Sequence, residues 1–275
     1  MLEIDRWPDL RDPVLVVAMS GWVDAGLAGA GAAAVLSEQL GSAARFGRVD
    51  LTDLADLQQT RPSVHLVEGA TREITWPTVD LVAGRAGRDV VLCRGPEPSL
   101  RWRAFGDELV EMSQRLGVRM MFGLGGMPAL VSHRRPVTVL TTATARSLAQ
   151  EVGAWRADYT GPTGAQTALQ VALGHAGIPG VGLWAQVPHY VSATPSPPAI
   201  TALLSRLREV GGVETDLSAL DEQVDEYLQR VEEGLSERPD VAEVVRNIEE
   251  TEDSGEIPTG DELASEIERF LREQG

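Results

Sequence analysis

The sequence predicts an α/β layered domain on a largely parallel sheet, followed by an acidic helical appendage. Three observations predict it. Short β-branched runs alternate with helical patterns through residues 1–213. Three of those runs, at 14–19, 90–93 and 120–122, are apolar throughout, as strands covered on both faces are. From Glu214 onward the chain carries 21 acidic and 5 basic residues, against 20 and 19 before it, and its apolar residues recur at helical spacing.

In chain order, strands are expected at 13–19, 44–51, 63–68, 78–84, 89–95, 118–125, 136–142 and 180–191. Helices are expected near 24–40, 100–116, 143–152, 163–176 and 197–210. Pro77 in "EITWPTVD" cannot donate to a ladder, so a hairpin or edge excursion is expected there. In "ATPSPPAI" the prolines make a stiff connector, and Pro197 or Pro198 suits the first turn of a helix.

Beyond this core domain, the appendage spans 214–250. Leu217, Leu220, Val224, Tyr227 and Val231 form one stripe, and Val241, Val244, Val245 and Ile248 a second. Each stripe is too narrow to fold alone and must dock. A polar linker over 251–258 leads to an amphipathic helix over 259–275, where Thr259 and Glu262 have capping-box spacing.

Composition excludes several function classes. All 24 basic residues are arginine, so there is no Walker A lysine, Schiff-base lysine or lysine general base. The net charge of −17 disfavours nucleic acid and anionic membrane. It gives the tail two readings, a site for a basic protein or a solvated face. No run reaches the length of a membrane span, and "MLEIDRWPDL" lacks the basic-then-apolar order of a secretion signal, so a cytoplasmic location is expected. Cys93 lies in an apolar run and reads as an inert buried thiol. His65, His133, His175 and His189 are scattered, with no i, i+4 pair, so neither a metal nor a cofactor is expected. His133 reads as part of a surface loop, "SHRRP".

Three glycine-rich turns are candidate sites. In "SGWVDAG", Gly21 and Gly26 flank Trp22 and Asp24. Asp24 stands where a helix should begin, and its carboxylate competes with any phosphate for the free N–H groups. The turn is therefore a self-capped corner or a contact surface using Trp22. "FGLGGMPA" (122–129) matches the dinucleotide-binding fingerprint poorly, because Pro128 takes the place of the third glycine, and a backbone turn at a sheet edge is expected. "DYTGPTGAQTAL" places Tyr159, Gly161, Thr163 and Gly164 before a helix that Thr163 can cap. His189 and Tyr190 end the last long strand.

Together, "GWVDAG", "YTGPTG", "GLWAQVPHYV" and "PSPPAITALLSRL" resemble the proteasome assembly chaperone 2 family, in particular its actinobacterial branch. The resemblance covers about residues 1–250. It implies a three-layer α/β/α sandwich similar to purine nucleoside phosphorylases and related hydrolases. It further implies a protein-binding role, self-association into a homo-oligomer such as a trimer, and proteasome α subunits as partners; because no motif above assembles a catalytic constellation, that role is expected to be non-enzymatic. The fold analogy carries a competing expectation: a phosphorylase- or hydrolase-like enzyme with a pocket near residues 21–24 and 161–164.

Overall fold

A computed structural model describes residues 1–155 and 158–254. Its strands are β1 (Leu2–Ile4), β2 (Val14–Ser20), β3 (Gly41–Asp50), β4 (Ser63–Val67), β5 (Ala70–Thr75), β6 (Thr78–Ala86), β7 (Arg88–Pro96), β8 (Met120–Ala129), β9 (Val139–Ala143) and β10 (Gly180–Pro188). Eight form one sheet in the order β1-β3-β6-β7-β2-β8-β10-β9, and β4 pairs only with β5.

Four central strands, β7, β2, β8 and β10, are mutually parallel; the others join antiparallel. The sheet is thus mixed rather than largely parallel. Connection length is one reason. Only Gly87, at φ 73, separates β6 from β7, and so short a link forces an antiparallel hairpin. Pro77 sits between β5 and β6, in the excursion the sequence predicts.

Helices cover both faces. On one lie α1 (Ala28–Gln39), α3 (Arg146–Glu151) and α5 (Pro197–Gly211), and on the other α2 (Trp102–Arg115) and α4 (Ala165–His175). The alternation along β2 shows why its run is wholly apolar. Val14, Val16 and Ala18 enter the core beneath α1 and α5, and Leu15, Val17 and Met19 the core beneath α2 and α4. The α/β/α sandwich is therefore a finding. Pro197 opens α5, where its missing N–H costs nothing.

The expected turn in "FGLGGMPA" is absent, because β8 runs straight through it between β2 and β10. Its glycines serve close packing instead. A Cβ on Gly125 would lie 2.6 Å from the Trp184 ring, and one on Gly126 would collide with the Ala25 carbonyl.

The last described elements are α6 (Asp221–Glu237) and α7 (Pro239–Ser254). Both helices dock: Tyr227, Val231, Leu235 and Val245 form a small core with Tyr190 and Val191 of the body, while Val244 of the second stripe stays exposed. Helix α7 continues to Ser254, so the first four residues of the expected linker are helical. The rest of that linker and the helix expected over 259–275 lie outside the described residues.

Candidate functional site

The parallel strands end together at one pole of the sheet, where open α/β folds present their crevices. The turn after β2 carries Gly21 to Gly26. Leu27 occupies the geometric N-cap of α1, but it is apolar and left-handed at φ 45, so it offers no acceptor. Asp24 supplies one from three residues earlier. Its Oδ1 accepts the N–H of Gly29 at 2.7 Å and of Ala30 at 3.3 Å. Asp24 is only 5% exposed, and its Oδ2 finds no partner among the described residues. Burial pushes its pKa up to about 6, against the pull of the two backbone bonds. The backbone around Asp24 is equally fixed, since Gly126 donates to the Val23 carbonyl and Gly26 to that of Ser192.

A second carboxylate repeats the device across the chain. The N-cap of α4 is Gly164, which has no side chain, and Thr163 does not cap it. Glu97, just after β7, reaches over instead. Its Oε1 accepts the Ala165 N–H at 2.5 Å, and the carboxylate also takes the Trp22 backbone N–H. Gly164 must be glycine for this approach, because a Cβ there would sit 2.6 Å from Oε1. Burial raises the Glu97 pKa, opposed by the two backbone bonds. Glu97 thereby ties Gly21 and Trp22 to Gly164, two stretches distant in sequence.

These carboxylates disfavour phosphate at the pole, since negative charge already meets the N–H groups of Gly29, Ala30 and Ala165. The outward side chains are Trp22, half-buried, and Tyr159 and Thr163, exposed. Tyr159 folds over Gly161 and donates its hydroxyl to the Pro162 carbonyl at 2.8 Å.

His189 and Tyr190 stand at the same pole, in the turn that ends at Ser192, whose carbonyl Gly26 meets. Strand β10 stops at Pro188, and both residues sit on a single 3-10 turn, His189–Val191. The His189 Nδ1 is buried without a partner among the described residues. Tyr190 serves the docking of α6 and α7, and it does so through His133. That histidine is buried, not part of a free surface loop. Its backbone N–H donates to the Tyr190 hydroxyl at 3.0 Å, its Nδ1 lies 2.8 Å from the same oxygen, and its Nε2 lies 3.0 Å from Glu232. Burial lowers the His133 pKa, which favours the neutral ring: Tyr190 O–H donates to Nδ1, and Nε2–H donates to Glu232. Arg134 clamps Glu232 with Nε at 2.6 Å and Nη2 at 2.8 Å, and also meets Glu249 of α7. The hydrogen bond from Arg134, aided by His133, brings the Glu232 carboxyl down to about 2.

A cavity of about 90 Å³ touches Ser132, His133, Gln186, Ser196 and Tyr227, and another of about 220 Å³ touches Ser20, Thr78, Asp80 and Arg94. Neither is lined by residues 21–24 or 161–164. Among the described residues no group of acidic, His and Cys side chains is placed to hold a metal, and no helix is long and apolar enough to cross a membrane. Cys93 is fully buried, and burial pushes its thiol up to about 12, away from thiolate chemistry.

Sequence reasoning missed Glu97, Glu232 and Arg134. Glu97 had a signal, a lone acid between prolines directly after a buried strand. The other two had none, because their partners are distant in sequence.

This architecture has known counterparts. A PAC2-family protein of Streptomyces avermitilis is 41% identical over 85% of this chain and all of its own, with a TM-score of 0.78. A Mycobacterium tuberculosis protein described as a proteasome-assembly chaperone homologue is 39% identical over 84% of this chain and 99% of its own, also at 0.78. An archaeal proteasome activator from Pyrococcus furiosus shares the fold at a TM-score of 0.69, with 19% identity over 85% of this chain and 97% of its own. No curated protein matches the sequence. The sequence profile of the PAC2 family matches residues 18–235, and the chain belongs to that family.

Proposed function

We propose that this chain is a self-associating, non-enzymatic protein-binding factor of the proteasome-assembly-chaperone kind, with proteasome α subunits as its first candidate partners and the cytoplasm as its place of action. The observation that carries the reading is how the strand-end pole is used. Its carboxylates are consumed in capping α1 and α4, while apolar and aromatic side chains face outward. The relatives described as a proteasome-assembly chaperone homologue and a proteasome activator support the same reading. The test is retention of proteasome α subunits by the immobilised full chain at low salt, where charge attraction is strongest. Retention that weakens on replacing Trp22 by Ala supports it; no retention counts against it.

A second reading, a phosphorylase- or hydrolase-like enzyme, draws on one observation: two carboxyls of raised pKa, Asp24 and Glu97, stand at the strand ends. Turnover of a nucleoside or ester that disappears in a folded Asp24→Asn variant would establish it.

A further inference from the structure

The least explained feature of the molecule is the hairpin β4–β5. Every residue of both strands is exposed, so the hairpin draws no core burial from its own body. Yet it is rich in large apolar side chains. Val64 and Leu66 are each 56% exposed, Ile74 52% and Trp76 46%, and Val64 faces Ile74 across the ladder. A solvated two-stranded hairpin is marginal in water, and exposed apolar residues clustered in this way mark a contact surface.

The hairpin leaves the body between the end of β3 and the start of β6, at the pole where β2, β7, β8 and β10 end. Leu100 and Leu130, on the loops after β7 and β8, are exposed at the same pole, as is Tyr159 before α4. Leu27, in the turn after β2, is exposed at this pole too, whereas the exposed Val171 lies midway along α4.

We propose that β4–β5 is an arm that packs onto the strand-end pole of a second copy of this chain, with Val64, Leu66, Ile74 and Trp76 as the contact residues. The proposal rests on the self-association inferred above and assigns its surface. Two arguments select a second copy as the occupant. A hairpin that gains nothing from its own body needs a cover wherever the folded chain exists, and the protein always present in equal amount is the chain itself. The second argument is charge. In a chain of net charge −17, residues 61–76 hold Arg61 and Arg72 against Glu68 and Glu73, so the arm itself brings no net charge to an acidic second copy. A basic partner would be drawn to the acidic α6 and α7, not to a neutral apolar arm.

The test measures the mass in solution of the full chain, of a Leu66→Glu/Ile74→Glu variant and of a Val171→Glu control, each with its thermal melt. The wild type and the control are expected to be oligomers of equal mass. The double variant is expected to associate about a hundredfold more weakly, two charges having entered an apolar contact, and to melt as the wild type does once diluted to monomer. A second readout guards against misfolding. Because Cys93 is buried, thiol labelling of a Leu66→Cys variant reports on the arm alone. Its labelling should slow as concentration rises, while that of a Val171→Cys control should not. A double variant that keeps the wild-type mass, or labelling of Leu66→Cys that ignores concentration, overturns the arm and leaves self-association standing. A wild type that is monomeric at micromolar concentration overturns both.

Discussion

The Glu97 carboxylate accepts the backbone N–H of Ala165 at 2.5 Å, across 68 residues of sequence, and so caps a helix whose own N-cap is glycine. One side chain thereby holds the loop after β7, the Trp22 turn and the start of α4 in one arrangement. Replacing Glu97 by Ala should destabilise the protein by about 1–2 kcal/mol, the usual loss for an N-cap. Gln keeps an acceptor and should cost less. Gly164→Ala should destabilise although Glu97 is intact, because the new methyl meets Oε1. Urea unfolding midpoints check all three.

Asp24 makes stability depend on pH in an unusual direction. Its folded pKa of about 6 lies above the ordinary 3.8, so between these values the folded chain holds a proton that the unfolded chain has released. Its contribution is therefore fully present below about pH 4 and is lost as pH rises through 6, by about 3 kcal/mol in all. Asp24→Asn keeps an acceptor for Gly29 and removes the titration. Urea midpoints measured from pH 4 to 7 should show the decline in the wild type and a smaller one in the variant, where Glu97, also raised by burial, still titrates.

Docking of α6 and α7 should show the opposite sign. Glu232 is depressed to about 2 by Arg134 and His133, so its contribution is present above about pH 4.5 and fades as pH falls towards 2. Its side chain is 45% exposed, so solvent screening limits the effect to about 1 kcal/mol. Glu232→Gln should raise amide exchange in α6 and α7 at neutral pH while exchange in β2 stays as it was. High salt should act in the same direction.

Tyr190→Phe removes the hydroxyl that serves both the His133 backbone and its ring. A buried donor and acceptor lose their partner, at a cost of about 1–3 kcal/mol. Limited proteolysis should then cut α6 and α7 sooner, with the sheet still protected.

Gly125→Ala tests whether the glycines of β8 are there for packing. The added methyl meets the Trp184 ring and, at 2.8 Å, the Val23 carbonyl. A loss of about 1–3 kcal/mol is expected from such overpacking, measurable as a lowered thermal midpoint. An unchanged midpoint would show that the strand can shift to make room.

The sequence alone determined whatever depends on periodicity and backbone chemistry. The wholly apolar run of β2 shows that helices cover both its faces. Pro197 places the start of α5. The stripes from Leu217 to Ile248 show that the acidic helices must dock. The capping of α1 by Asp24 is legible only in part, because the sequence places that acceptor at the N-cap itself, whereas the N-cap is Leu27 and Asp24 reaches Gly29 and Ala30 from three residues before it. Tertiary structure alone decided what depends on encounters between distant residues. Glu97 becomes the cap of α4 only when the sheet sets β7 beside β2. His133 becomes buried only when α6 brings Glu232 to it. The glycines of β8 are seen to serve packing only once Trp184 and Ala25 occupy the space a side chain would fill. Local pattern records which face of an element is apolar; it does not record which remote group will satisfy a buried N–H, because that follows from strand order, which no short window of sequence contains.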